Sequence, residues 1–379
     1  MDLIKKSIKI IEDSQLENGG ILATPGKEAY PYIYPRDAVI MTKALNRVGL
    51  SKKSEKFYYF INKHANIENY KEVFHRYNIN GWPCVTRKDQ NDNEGLVLHG
   101  IYDTYLHSKR VAFLEDNWLL VKQIADLIKG YSKTDLVKTK RSIHESYILE
   151  HGYDIWVNSA CCRGIYDASE IAKITNHDKE AKEWKIRADK LKKNIKKRFF
   201  DKGLSVFMKN PRLKGIPDIS QIAPFYFEIE TSEALLKKTL KYLREHLWHG
   251  QVGGFRRFRQ FELVKDWHWY SGGSGSWCAF TAFMGGFYKK IGDKKSYNEC
   301  LNWLEEVASR TDGLLPEHIA TRGEYKAWKS NEIEFNQRVI NGTKRAELLA
   351  SNFKDKDIIY WATPLGWSHA EYILMRTEK

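Results

Sequence analysis

Little in this chain of 379 residues suggests a stapled, spanning or multi-part protein. It has five cysteines, Cys84, Cys161, Cys162, Cys278 and Cys300. An odd count in a chain this long does not describe a disulfide scaffold. Cys161 and Cys162 are adjacent rather than spaced as CxxC, and no histidine cluster accompanies them, so zinc is not expected either. The five are expected to be buried free thiols, which pack as small hydrophobes. No apolar run approaches the roughly 18–20 residues that a membrane span needs. There is no Gly/Ser/Pro-rich linker and no low-complexity tract. The opening segment, Met1-Asp2-Leu3-Ile4-Lys5-Lys6, lacks the apolar stretch and cleavage site of a signal peptide, so cytoplasmic residence is the expectation.

What the chain does have is an excess of positive charge, 62 basic against 48 acidic residues, for a net +14. That raises nucleic-acid binding as a possibility. The densest cluster is Lys190, Lys192, Lys193, Lys196 and Lys197, and it interleaves with Leu191 and Ile195. Such interleaving marks the wet face of one helix. No nucleic-acid partner is expected. Aromatics are abundant, with 12 Trp and 21 Tyr among them. Flat rings stack on sugar faces, and indole N–H and phenol O–H groups pair with hydroxyls.

The dominant period is helical. Trp184, Ala188, Leu191, Ile195 and Phe199 recur at spacings of three and four, as do Trp277, Phe280, Phe283, Met284, Phe287 and Ile291. The pattern predicts about eleven helices, near 2–15, 38–48, 54–65, 96–113, 117–130, 158–174, 181–200, 232–248, 276–291, 294–310 and 366–376. Strand-like alternation is rare. Several helices come in pairs joined by brief turns and should be antiparallel neighbours. The pattern alone therefore predicts an all-α protein with one large domain.

Two segments carry candidate chemistry where an apolar run meets a turn. They are Gly313-Leu314-Leu315-Pro316-Glu317 and Pro364-Leu365-Gly366-Trp367-Ser368-His369-Ala370-Glu371. Pro316 restricts the backbone just before Glu317, which suits a carboxylate that must aim at one point. A third segment, Tyr30-Pro31-Tyr32-Ile33-Tyr34-Pro35-Arg36-Asp37, joins an aromatic cluster to an Arg-Asp pair. A carboxylate accepts from two sugar hydroxyls, and a guanidinium donates in a fixed fork.

Together these segments resemble the signature segments of glycoside hydrolase family 15, the glucoamylases, glucodextranases and some trehalases. The likeness is scattered from Tyr30 to Glu371, in family order. It implies an (α/α) barrel of six helical hairpins spanning 1–379; the chain departs from the family pattern in a charged insertion at about 320–362, through Trp328, Asn331, Glu332, Glu334 and Arg338. It implies an inverting hydrolase, with two carboxyl groups separated by roughly 6.5–9.5 Å so that a water fits between sugar and base.

Glu317 matches the family's general base. Glu150, in Ile148-Leu149-Glu150-His151-Gly152, is the favoured general acid, with Leu149 where the family has Trp; Glu145 is its rival. A working acid needs its pKa raised by burial. The resemblance places Tyr30, Arg36, Asp37, Trp82, Asp92, Arg257 and Trp367 around a terminal glucose. Asp92 lies in Gln90-Asn91-Asp92-Asn93-Glu94-Gly95, and Arg257 in Gly254-Phe255-Arg256-Arg257-Phe258. The loop residues Trp267 and Trp269 are further candidates for sugar contact. No metal and no cofactor are expected. The implied activity is exo-acting release of glucose from short α-glucosides. The alternatives are a silent carbohydrate- or protein-binding relative, and a sugar epimerase or lyase using His151, His268 or His369.

Overall fold

The computed structural model describes residues 2–26, 30–85, 89–131, 135–145, 147–258, 275–326 and 350–377. Among the described residues, twelve principal helices pair into hairpins. They are α1 (Leu3–Asp13), α2 (Pro35–Arg47), α3 (Ser51–His64), α4 (Asp92–Ser108), α5 (Trp118–Tyr131), α6 (Ile155–Ile174), α7 (Asp178–Phe199), α8 (Ala223–Tyr226), α9 (Glu233–Leu247), α10 (Cys278–Lys290), α11 (Lys294–Arg310) and α12 (Gly366–Thr377).

Local chemistry explains their ends. Pro35 opens α2, where its missing N–H costs nothing, and Arg47 sits in the last turn against the negative pole. Asp154 caps α6 by accepting from the Trp156 and Val157 N–H groups. Lys109, at φ 57°, ends α4 and splits the expected 96–113 helix, leaving a separate short helix, Val111–Asp116.

Packing sorts the helices into two layers. The inner ring runs α2, α4, α6, α8, α10, α12 and back to α2. The link from α8 to α10 is a ring contact between Tyr226 and Phe283, with centroids 5.5 Å apart. Outside, α3 lies on α2 and α4, α5 on α4 and α6, α7 on α6, α9 beside α10, α11 on α10, and α1 on α12. This is the expected barrel of six hairpins. Its inner helices touch on both sides and have little polar surface, while the outer helices are amphipathic. In α7 the buried residues are Trp184, Ala188, Leu191, Ile195 and Phe199, as the spacing predicts. Where α4 crosses α6, Gly95 and Gly164 bring the backbones together, and a Cβ at Gly95 would collide with the Ala160 carbonyl.

One inner element was not legible from periodicity. α8 is a single turn, preceded by a 3₁₀ turn, Ile219–Ile222. It is too short to show a helical period, and Pro224 sits inside it.

A small antiparallel sheet stands at one end of the barrel. Its order is β3 (Ser276–Trp277), β4 (His318–Thr321), β6 (Ile358–Trp361) and β5 (Ala350–Ser351). A second pair, β1 (Phe200–Asp201) and β2 (Val206–Phe207), follows α7. The register aligns Trp277 with His318 and His318 with Trp361. Directly opposed residues share a face, and the three rings stack with centroids 5.2 and 5.9 Å apart.

Candidate active site

The N-terminal ends of α2, α4 and α6 come together. Arg36 in the first turn of α2 donates to Asp92 at the start of α4, with distances of 2.7 and 3.2 Å. The same guanidinium donates to Gln90 Oε1 at 2.8 Å and to the Ser142 carbonyl at 3.1 Å. Asp92, fully buried, also accepts from the Trp156 indole at 3.2 Å. Burial opposes the charge on Arg36, but Asp92 foremost more than offsets it and holds the guanidinium ionised.

Asp37, half-buried beside this pair, has its pKa pushed up to about 7. Burial is the main cause; Arg36 opposes it, and the negative charges of Glu317, Glu145 and Asp92 add to it. Carboxylates from three different chain segments therefore act on one side chain at the mouth of the ring.

Glu317 lies between α11 and β4. Its N–H donates to the Trp361 carbonyl at 2.9 Å, and its carbonyl accepts from the Cys278 N–H at 3.2 Å. Its Oε2 accepts from the Tyr30 hydroxyl at 3.0 Å, and that hydroxyl accepts from the Trp361 indole at 3.1 Å. His318 Nδ1 is 3.7 Å from the same oxygen. Burial holds the His318 pKa down although Glu317 favours its charged form.

The two sequence segments that stood out near the end of the chain interlock here. The Leu315 N–H donates to His369 Nε2 at 2.9 Å. Nε2 therefore carries no proton, and Nδ1–H donates to Ser7 Oγ at 2.8 Å. The Ser368 hydroxyl donates to the Pro316 carbonyl at 2.7 Å, and the Leu365 N–H to the Leu315 carbonyl at 2.9 Å. The loop before Glu317 is thus fastened to the start of α12 at three points.

The two candidate acids occupy different environments. Glu150 is fully buried, and both of its oxygens accept backbone N–H groups, from Ser142 at 2.7 Å and His144 at 2.8 Å. Glu145 sits at φ 57° on the turn that these bonds shape. Its side chain is 19% exposed and lies 3.9 Å from the Arg36 guanidinium. Burial raises the Glu150 pKa, with Lys209 opposing and Asp154 adding.

The remaining expected residues divide. Arg257 is buried over the Trp277 ring, 4.6 Å from its centroid, and its charge acts on both His144 and His318. It lies between the Glu145 turn and the Glu317 loop. Trp367 is in the core: its ring packs against Phe280, and its indole donates to Glu371 at 3.1 Å. The first turn of α12 points this ring toward Phe280. Trp82 is 67% exposed on a turn held by Asn78, and its indole makes no hydrogen bond among the described residues. Asp92 supports Arg36 from beneath. Trp267, His268, Trp269, Trp328, Asn331, Glu332, Glu334 and Arg338 lie outside the described residues.

Sequence reading missed Trp361, His318, Gln90 and Ser142. His318 was adjacent to the Glu317 motif. Trp361 had no local signal, because only the β4–β6 register carries it to Tyr30.

No family model matches the chain. An uncharacterized glycosyl hydrolase of Methanocaldococcus jannaschii is 25% identical over 378 residues, covering 94% of this chain and 52% of that protein. The chain thus spans about half the length of that relative. Among solved structures, a glycosidase variant with glutamate replaced by alanine, in complex with glucose, superposes with a TM-score of 0.75 at 17% identity, covering 99% of this chain and 95% of that one. A bacterial glucoamylase complexed with acarbose gives a TM-score of 0.73 at 16% identity, covering 99% and 55%. The chain has the six-hairpin barrel of the glucoamylases and related glycosidases.

Proposed function

We propose that this protein is a glycoside hydrolase that releases glucose from the non-reducing end of short α-glucosides with inversion. The observation that carries this is the convergence at the mouth of the barrel. Glu317 is held by Tyr30 and a fastened loop, and its charge acts on Asp37. The fold shared with glycosidases, one of them solved with glucose, supports the same reading.

In the reaction, Glu317 takes a proton from a water as that water's oxygen attacks the anomeric carbon. A carboxylic acid on the opposite side gives its proton to the leaving oxygen as the glycosidic C–O bond breaks. The 142–150 segment supplies that acid. Sequence favoured Glu150, but its two oxygens are occupied by backbone donors in the interior. Glu145, beside Arg36 and partly exposed, is the residue we assign as acid. Asp37 and Arg257 hold the sugar, and Arg36 orients Asp37 and Glu145 through its charge.

The test is glucose release from maltose, isomaltose, trehalose and soluble starch, with Glu317→Gln as control. Loss of about 10²-fold or more in the variant is expected of a general base. Polarimetry during turnover reads the anomer first formed. Equal activity in wild type and variant would end the assignment of Glu317, and a product of retained configuration would end the inverting mechanism.

A further inference from the structure

Behind the 142–145 turn lies a buried charge cluster that the reaction above does not use. Lys209 has no exposed side-chain surface, and its ammonium stands among three carboxylates: Asp154 at 3.1 Å, Glu150 at 3.5 Å and Asp218 at 3.5 Å. His144 Nε2 completes the group, 2.9 and 3.0 Å from the two Asp218 oxygens. Burial holds the His144 pKa down to about 3, so it is neutral and donates to Asp218 as a hydrogen bond. Burial alone would suppress the ammonium, but Asp154, Asp218 and Glu150 more than offset this.

Taking several charges out of water is expensive, and apolar residues of similar volume often serve stability as well or better. What the cluster does hold is backbone. Glu150 clamps the N–H groups of Ser142 and His144. Asp154 caps α6, and the Lys209 carbonyl accepts from the Ile155 N–H at 2.9 Å. Asp218 begins the 3₁₀ turn whose Ile219 N–H donates to the Arg257 carbonyl at 2.8 Å. The Ser142 carbonyl, on the same turn, accepts from Arg36. One ammonium therefore ties together the Glu145 turn, the start of α6 and the segment bearing Arg257.

We propose that Lys209, with Glu150, Asp154 and Asp218, is a positioning network that fixes the Glu145 turn against Arg36, and that Glu150 acts by clamping backbone rather than by proton transfer. This rests on the hydrolase reading for its kinetic test but not for its structural one.

The variants are Glu145→Gln, Glu150→Gln, Lys209→Met and the milder Lys209→Arg. Each is assayed on the best disaccharide and on α-glucosyl fluoride, whose departing fluoride needs no proton. Glu145→Gln should lose the disaccharide reaction, keep most of the fluoride reaction, and lose the basic limb of the pH–rate profile. Glu150→Gln and Lys209→Met should lose about 100-fold on the disaccharide, as expected of a catalytic group misplaced by about 1 Å. They should lose much less on the fluoride and retain the basic limb, because the acid itself remains. A uniform loss on both substrates would mean a merely structural role and overturn the proposal. Loss of the basic limb in Glu150→Gln, with the limb intact in Glu145→Gln, would make Glu150 the acid and also overturn it.

Amide hydrogen exchange over 139–152 gives a reading independent of turnover. Protection there should fall in Glu150→Gln and Lys209→Arg while α10 and α12 stay protected. Unchanged protection would refute the network whatever the activity. Wild-type protein inactive on every sugar, with exchange changed as stated, would remove the hydrolase reading and leave the network standing.

Discussion

Replacing Arg36 by Met tests the central ion pair. The guanidinium is 7% exposed and donates to both oxygens of Asp92, to Gln90 and to the Ser142 carbonyl. Hydrogen bonds to charged groups contribute about 1.5–3 kcal/mol each, a gross figure that overstates the net because burying the ion costs several kcal/mol. The net cost of the substitution is the penalty of leaving Asp92 buried and charged, with the Trp156 indole as its remaining side-chain donor among the described residues. Removing one partner of a buried pair costs about 3–5 kcal/mol. Adding Asp92→Leu takes away the stranded charge, so the double variant should recover about 1–4 kcal/mol relative to Arg36→Met. The assay is equilibrium urea unfolding at neutral pH, followed by both far-ultraviolet circular dichroism and tryptophan fluorescence to check that the transition is two-state. A loss below about 1 kcal/mol in Arg36→Met would refute the reasoning, since that is the range of an exposed pair. So would strict additivity of the two substitutions, since contacting residues should couple.

Three further outcomes follow from the buried groups. His369→Leu should cost about 1–3 kcal/mol, because the Leu315 N–H loses its acceptor. The native pKa of His369 is depressed to about 3 by burial, so the wild type loses stability as pH falls from the unfolded value of about 6.5. The gap between wild type and variant should narrow on acidification, and a constant gap would contradict the assignment. Asp37 shifts the other way. With its native pKa raised to about 7, the folded state binds more protons between about pH 4 and 7, and stability falls as pH rises through that window. Asp37→Asn should remove that contribution and be more stable than wild type above pH 7; an identical pH slope in both proteins would refute it. Cys161, Cys162, Cys278 and Cys300 are buried and Cys84 is not. A thiol reagent should modify Cys84 rapidly in the native protein and the others only on unfolding; fast labelling of Cys161 or Cys162 would contradict the packing.

Much of the fold was written in local pattern. Helix existence followed from apolar spacing, as in α7, whereas the start of α6 at the Asp154 cap and the break at Lys109 in the left-handed region emerged only from the structure. Apolar spacing depends on residues within a turn or two of each other, so it can be read along the chain. The two segments around Glu317 and His369 stood out for the same reason. Their residue types are unusual beside an apolar run, and they prove to be fastened to each other.

Other features depended on residues far apart in sequence. Trp361 reaches Tyr30, 331 residues away, through a strand register that no short window encodes. That Trp367 faces Phe280 was likewise not legible in the sequence, because the direction of a helical side chain is set by what the helix packs on. Motif position favoured Glu150 over its rival Glu145, although both read as carboxylates in a loop. Their difference lies in desolvation and in which backbone donors surround each, and both are properties of the assembled interior. The amino-acid order by itself determined most of the helices and the chemistry on offer; which carboxylates are dry, paired or facing the mouth of the barrel was decided by tertiary structure, because burial and charge proximity exist only once distant segments meet.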